Sequence, residues 1–371
     1  MGLPERLKKT LRPIKARLIR AKAATAAAVT PKPAPRRPVL GIVGFFGHGN
    51  YGDELFLSVF EEYFGAEFDL VVIPDLPTKP HFSRPVEEKV AEVDAILIGG
   101  GDLIRPWSLD ERYFNLAYLE KPVFMVGLGV PIRSGSEDKP HITKRYARFF
   151  KHPSVKFVGV RDEDSREWVE SNIAPTAPLV SEPDIVCALT LPVVSKKVDG
   201  PKVLGIVTRL RPGRETPDDY SRLEELATEL QDRGWLIRHL MLGTGRVGKR
   251  DVENSGNLDV PGKELVVSED LDVLSRAIGE CTALVSMKFH GTVVATMYGI
   301  PSIVAIPTSK NRSFMRRLGR EDLLAKFDAV DLLDRFTPEP APLDLAAVAR
   351  LRTQATSLMT DLRARVKAEL R

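Results

Sequence analysis

Ala283-Leu-Val-Ser286-Met-Lys288-Phe-His290-Gly-Thr-Val-Val-Ala-Thr-Met-Tyr298-Gly299-Ile-Pro301-Ser-Ile-Val-Ala-Ile306-Pro-Thr-Ser-Lys310 reads as one complete strand–helix–strand unit. Ala283 to Val285 are short, apolar and strand-like, and Lys288 and His290 follow just past the strand's end. Gly291 makes the turn, Thr292 to Tyr298 have a helical pattern, and Gly299 and Pro301 stop it. Ile303 to Ile306 form the second strand, with Lys310 just beyond. Parallel strands deliver their C-terminal ends to one rim, where ligands bind, so this unit sets Lys288, His290 and Lys310 along one edge of a crevice.

Working outward, the same alternation recurs along the chain. Val39 to Phe45 is a strand that runs into Gly47-His-Gly-Asn50-Tyr-Gly52-Asp53-Glu54 and then a helix to about Phe64. Glycines let backbone approach a ligand, and a helix start attracts anions. The spacing is neither a Walker A loop nor a Rossmann fingerprint, so nucleotide binding does not follow. A plain strand-to-helix turn fits equally, with Asp53 facing the helix dipole. Phe68 to Ile73 and Ala95 to Ile98 are further strands, the second ending in Gly99-Gly100-Gly101-Asp102. Val123 to Gly127 and Val155 to Val160 follow; Arg161 leaves the latter at the ligand rim, beside Asp162 and Asp164 as alternative partners. Leu179 to Val186, containing Asp184, closes the first domain.

A linker, 191–201, with Lys196, Lys197 and Asp199, precedes a second series. Val203 to Val207 is a strand ending in Thr208-Arg209-Leu-Arg211, where the arginines suit an anionic ligand or a solvated loop. Ser221 to Arg233 is an amphipathic helix, Leu236 to Leu242 a strand, and Gly243 to Lys249 a Gly/basic loop. Leu271 to Ala277 is a short helix leading into the opening stretch. Arg312, Arg316, Arg317 and Arg320 then give a solvated basic helix face, and Leu343 to Leu370 is a long charged helix fit to pack across both domains. The expected fold class is therefore α/β: two Rossmann-like, doubly wound domains, 39–190 and 202–330, facing a cleft, with a C-terminal helical segment at 331–371.

Composition sets the outer limits. The chain has 371 residues, enough for two cores, and 43% apolar and 28% charged residues are those of a soluble globular protein. Cys187 and Cys281 lie in apolar runs and read as reduced buried thiols, with no disulfide framework or zinc motif. Eleven Lys/Arg against Glu5 alone give residues 1–38 a charge of +10, so with a total of +4 the body after it carries −6. Basicity thus belongs to a tail, which gives no case for nucleic-acid binding by the body. Leu3, Leu7, Leu11, Ile14 and Leu18 have helical spacing and fit either an anionic membrane surface or a solvated tail, with Pro4 and Pro13 interrupting. The tail lacks the apolar core of a signal peptide, and no stretch approaches the ~20 apolar residues of a membrane span. The location expected is cytoplasmic, peripheral at the inner membrane face if the tail binds there.

The two walls would offer Asp53, Asp102 and Arg161 on one side and Arg209, Lys288, His290 and Lys310 on the other. That mixture fits an anionic donor held by cations, with a carboxylate or imidazole to move protons. A structural role for each residue remains the alternative.

Four motifs resemble the polysaccharide pyruvyl transferase family across about 40 to 320. They are Gly49-Asn50-Tyr-Gly52-Asp53-Glu54, Gly99-Gly100-Gly101-Asp102, Val160-Arg161-Asp162 with Ser165, and Ser286-x-Lys288-x-His290 with Gly299-Ile-Pro301 and Lys310. Lys288 stands where the family usually has Arg, which keeps the charge but not a planar fork. The resemblance implies a GT-B-like fold and transfer of a pyruvyl group from phosphoenolpyruvate to a sugar, leaving a ketal and inorganic phosphate. It implies proton transfer by His290, a donor carboxylate held by Arg161, and donor phosphate held by Lys310 with Lys288 or Arg209. Asp53 would accept the acceptor hydroxyl's proton, while Asn50, Gly52, Gly100, Gly101 and Asp102 would line the substrate. No cofactor or metal is expected; the partners are phosphoenolpyruvate and a sugar acceptor, lipid-linked if the tail is membrane-bound. A nucleotide-sugar glycosyltransferase and a non-catalytic sugar- or anion-binding protein are the alternatives.

Overall fold

The computed structural model describes residues 36–74, 84–132, 138–195, 200–211 and 218–371. The basic tail to residue 35 and the linker residues Lys196, Lys197 and Asp199 lie outside them. Residues 37–371 form one compact unit.

Among the described residues, eleven parallel strands make two sheets. In the first, β1 (Val39–Val43) is flanked by β2 (Asp69–Val72) and β3 (Ala95–Gly101), and β4 (Val123–Leu128), β5 (Val155–Val160) and β6 (Leu179–Ser181) extend it in order β2-β1-β3-β4-β5-β6. The central strands β3 and β4 are continuous apolar runs because helices or loops cover both faces. The second sheet has β7 (Val203–Val207), β8 (Leu236–Leu240), β9 (Glu264–Val266), β10 (Ala283–Ser286) and β11 (Ser302–Val304) in order β11-β10-β7-β8-β9. Each sheet reverses strand order once, between β1 and β3 in the first and between β7 and β10 in the second. Ligand crevices of open parallel sheets lie at such reversals, beyond the strands' carboxyl ends. Asn50 to Asp53, Asp102, Arg209, and Lys288 with His290 follow these four strands, while Arg161 and Lys310 follow β5 and β11.

Helix α1 (Tyr51–Phe64) follows β1 and shows why the sequence folds this way. Leu55, Phe56, Val59, Phe60 and Phe64 repeat at helical spacing and are buried on the first sheet, with Phe56, Phe60 and Phe64 edge-on to one another. The crossovers after β2, β4 and β5 carry α2 (Val86–Ala91), α3 (Pro140–Phe150) and α4 (Glu163–Asn172). In the second half, α5 (Ser221–Asp232), α6 (Gly245–Asn254), α7 (Leu271–Gly279), α8 (Phe289–Met297) and α9 (Ser309–Leu318) alternate with the strands. Helix α8 is buried along its whole length, as its unbroken apolar and small residues require.

Two expectations change. Gly243 to Lys249 is not a loop: α6 begins at Gly245, whose N–H donates to the Glu269 carboxylate at 2.9 Å. Glycines that look like loop signals are there for packing, since Gly248 lies against the Gly243 backbone. Strand β6 ends at Ser181, and Asp184 caps a 3-10 turn at Ile185–Ala188. The second strand of the opening unit is Ser302–Val304, shorter than Ile303 to Ile306 by its C-terminal end.

The long C-terminal helix α10 (Leu345–Glu369) packs on both halves. Arg352 donates to the carbonyls of Leu189 and Met297, and Glu369 and Lys367 pair with Lys156 and Glu67. No helix of the described residues is long and apolar enough to cross a membrane.

Candidate active site

The carboxyl ends of β1, β3, β7 and β10 open on a cleft of about 370 Å3. Asn50, Gly52, Asp53, Gly101, Asp102, Arg161, Arg209, Lys288, His290 and Lys310, all expected at the site, line it. Gly100 does not; it lies against Phe56 just below. Gly100 and Gly101 have φ of +91° and +78°, a conformation that turns the chain at the end of β3 and sends Asp102 into the cleft.

Five groups meet across the two halves. Lys310, at the start of α9, donates to Asp102 Oδ2 at 2.9 Å. Asp102 Oδ1 accepts from Arg161 Nη2, and Arg161 Nη1 and Nε stand 3.7 and 3.9 Å from Asp184 and Asp162. His290 Nε2 faces Asp184 Oδ2 at 3.3 Å. The Phe289 ring carries Arg161 and Lys310 at 5.3 and 5.5 Å from its centroid. Cations and carboxylates thus alternate along Lys310–Asp102–Arg161–Asp184, with the His290 imidazole at the end, through a low-dielectric floor, where such pairs are far stronger than in water.

Burial decides which of these groups still face open space. The Arg161 side chain is 1% exposed and engaged by carboxylates, two of its nitrogens lacking a hydrogen bond among the described residues. Lys288, 10% exposed, donates to Asp251 and to the Leu242 carbonyl. Arg161 and Lys288, two of the four cations expected to grip an anion, are therefore already paired with carboxylates. Lys310 and Asp102 are 25% and 31% exposed and remain open to solvent. Arg105, Arg209 and Arg250 line the same cleft with no ion pair or side-chain hydrogen bond among the described residues.

The carboxylates are pushed apart in acidity. Burial raises the Asp53 carboxyl above its ordinary range, and His290, Asn50 and Lys310 only partly offset this. Burial also works against ionised Asp102, but Arg161 and Lys310 outweigh it and hold the carboxyl well below the usual range. Asp184 is likewise held below, with His290 and Arg161 overcoming its burial. Burial lowers Lys288 despite Asp251. A carboxyl made less acidic by burial, beside others made more acidic by cations, is the pattern that separates acid from base roles.

Sequence reading missed Asp251, and named Asp184 only as part of the stretch that closes the first domain. Both sit where a short polar side chain interrupts an otherwise helical or apolar pattern, a signal shared with any cap.

Two parallel Rossmann-like sheets facing one charged cleft make this a GT-B-like α/β protein. The S. aureus MnaA–UDP complex superposes with a TM-score of 0.55 at 11% identity over 90% of this chain and 95% of that one. A UDP-N-acetylglucosamine 2-epimerase from Rickettsia bellii gives 0.55 at 13% over 90% and 96%. The UDP-GlcNAc 2-epimerase from Neisseria meningitidis bound to UDP-GlcNAc gives 0.52 at 11% over 90% and 99%. At such identities the likeness is one of fold. No curated protein matches the chain significantly in sequence. Residues 50–309 match the polysaccharide pyruvyl transferase family, and the chain belongs to that family of transferases.

Proposed function

We propose that the protein transfers a pyruvyl group from phosphoenolpyruvate to a sugar of a polysaccharide or its precursor, forming a ketal and releasing phosphate. What carries this reading, beyond family membership, is the arrival of His290, Asp53, Asp102 and Lys310 in one cleft from opposite walls. The donor's enol carbon takes a proton, which makes the adjacent carbon electrophilic. Two sugar hydroxyls add to that carbon in turn as phosphate departs; they lose two protons, one balancing the carbon's gain and one leaving with phosphate. His290 moves the first proton, and Asp53 accepts from an acceptor hydroxyl. Lys310 steadies the departing phosphate, and Arg209, with Arg105 and Arg250, supplies the cations that no internal carboxylate claims. Arg161 and Lys288 act from below, by fixing Asp102 and holding the end of β10.

A glycosyltransferase reading has one observation in its favour: two of the similar folds are complexes with UDP or UDP-GlcNAc. Thermal shift separates the two. A ligand at 100 times its Kd stabilises a protein by about 2.7 kcal/mol. Stabilisation of wild type by phosphoenolpyruvate, with none from UDP or GDP, supports pyruvyl transfer; a shift with the nucleotides alone replaces it with glycosyl transfer. His290→Ala should keep the fold and abolish phosphate release, and near-normal release from that variant would overturn the proton role.

A further inference from the structure

His290 has a carboxylate dedicated to one of its ring nitrogens. Asp184 Oδ1 accepts the Val186 N–H at 3.0 Å, capping the 3-10 turn, so the side chain is fixed from its other end. Oδ2 then faces His290 Nε2 at 3.3 Å, with the two side chains 1% and 11% exposed. Arg161 Nη1, 3.7 Å from that same oxygen, keeps it from turning away. The second ring nitrogen is placed differently. Nδ1 has no hydrogen-bond partner among the described residues and is not sealed from solvent. It lies over Gly52, which has no side chain to cover that edge, and His290 lines the cleft.

An ionised carboxylate only accepts, so the nitrogen it faces must carry the hydrogen. We propose that Asp184 is a positioning residue that keeps the His290 proton on Nε2 and so presents Nδ1 to the cleft as the nitrogen that takes and delivers the mobile proton. Burial opposes ionised Asp184, but His290 and Arg161 outweigh that cost and preserve the acceptor. The proposal rests on pyruvyl transfer only for what the mobile proton does; the tautomer belongs to the protein without substrate.

The test uses full-length protein labelled with 15N-histidine, the His290 signals being those lost in His290→Gln. With the ring neutral, wild type should show Nε2 protonated and Nδ1 bare. Asp184→Asn retains a capping oxygen and removes the anion: the Nδ1–H form should become populated, and kcat for phosphate release should fall at least ~10-fold with KM for phosphoenolpyruvate little changed. Asp184→Glu should bring back the wild-type tautomer. A wild-type His290 protonated on Nδ1, or an Asp184→Asn protein with unchanged tautomer, overturns the proposal. Should Asp184→Asn not fold, the wild-type spectrum alone decides. The expected tautomer together with no phosphate release from wild type would uphold this proposal and sink pyruvyl transfer.

Discussion

His290 rests its Nδ1 edge on Gly52, so that a Cβ built at residue 52 would overlap the imidazole. Gly52 is the second residue of α1, in the first half, and His290 the second residue of α8, in the second. Contact between the halves at the site is thus set by a missing side chain.

Gly52→Ala should displace His290 while leaving α1 helical, since alanine suits a helix better than glycine. Overpacking of this kind costs about 1–3 kcal/mol. Denaturant unfolding should show that loss, and phosphate release should fall with it. Adding His290→Ala should recover most of the stability and none of the turnover. An alanine at 52 that leaves both stability and turnover at wild-type values would mean the ring has room to move.

Lys288 and Asp251 form a buried pair between the start of α8 and helix α6, with side chains 10% and 4% exposed. Lys288→Met alone leaves Asp251 uncompensated and should cost about 3–5 kcal/mol. Lys288→Met with Asp251→Leu should recover much of that, because both charges leave the interior together. Urea midpoints of the two single variants and the double variant give the coupling; strictly additive losses would show that the charges do not depend on each other.

His239 in β8 is fully buried, its Nε2 2.8 Å from Thr208 Oγ1 and its Nδ1 without a hydrogen-bond partner among the described residues. Burial, with a smaller contribution from Lys263, lowers its pKa to about 3. The unfolded chain takes up this proton near pH ~6.5 while the folded protein does not, so stability falls as pH drops below that value. The fall should run at about 1.4 kcal/mol per pH unit and level off as the folded pKa is reached. His239→Gln should flatten the dependence between pH 6 and 4, whatever it costs at pH 7. Parallel stability–pH curves for the two proteins would refute the assignment.

The sequence made the rim legible because each chemical residue follows an apolar strand at once: Lys288 and His290 after β10, Arg161 after β5, Asp102 at the end of β3. Strand order and the reversal points follow from parallel pairing, which a single sequence does not print. Pairing partners were harder still. Asp251 lies 37 residues from Lys288, and Asp184 lies 106 from His290, so only the folded chain reveals that Lys288 is neutralised. Arg161 had Asp162 and Asp164 as visible neighbours, yet its shortest bond goes to Asp102, delivered by another strand. Local spacing could identify what type of group reaches the cleft, but not which of its charges remain unanswered there.

Helix α10 has a bearing on how the protein is made. The turn at Ile185–Ala188, which holds Asp184, is buried beneath this helix, and Lys367 reaches Glu67 across 300 residues of chain. A ribosome delivers the first sheet early, at a time when the helix that covers this turn has not been synthesised. The first half therefore leaves the exit tunnel with an apolar seam open, and Asp184 gains its final surroundings only after residue 345 and those following emerge.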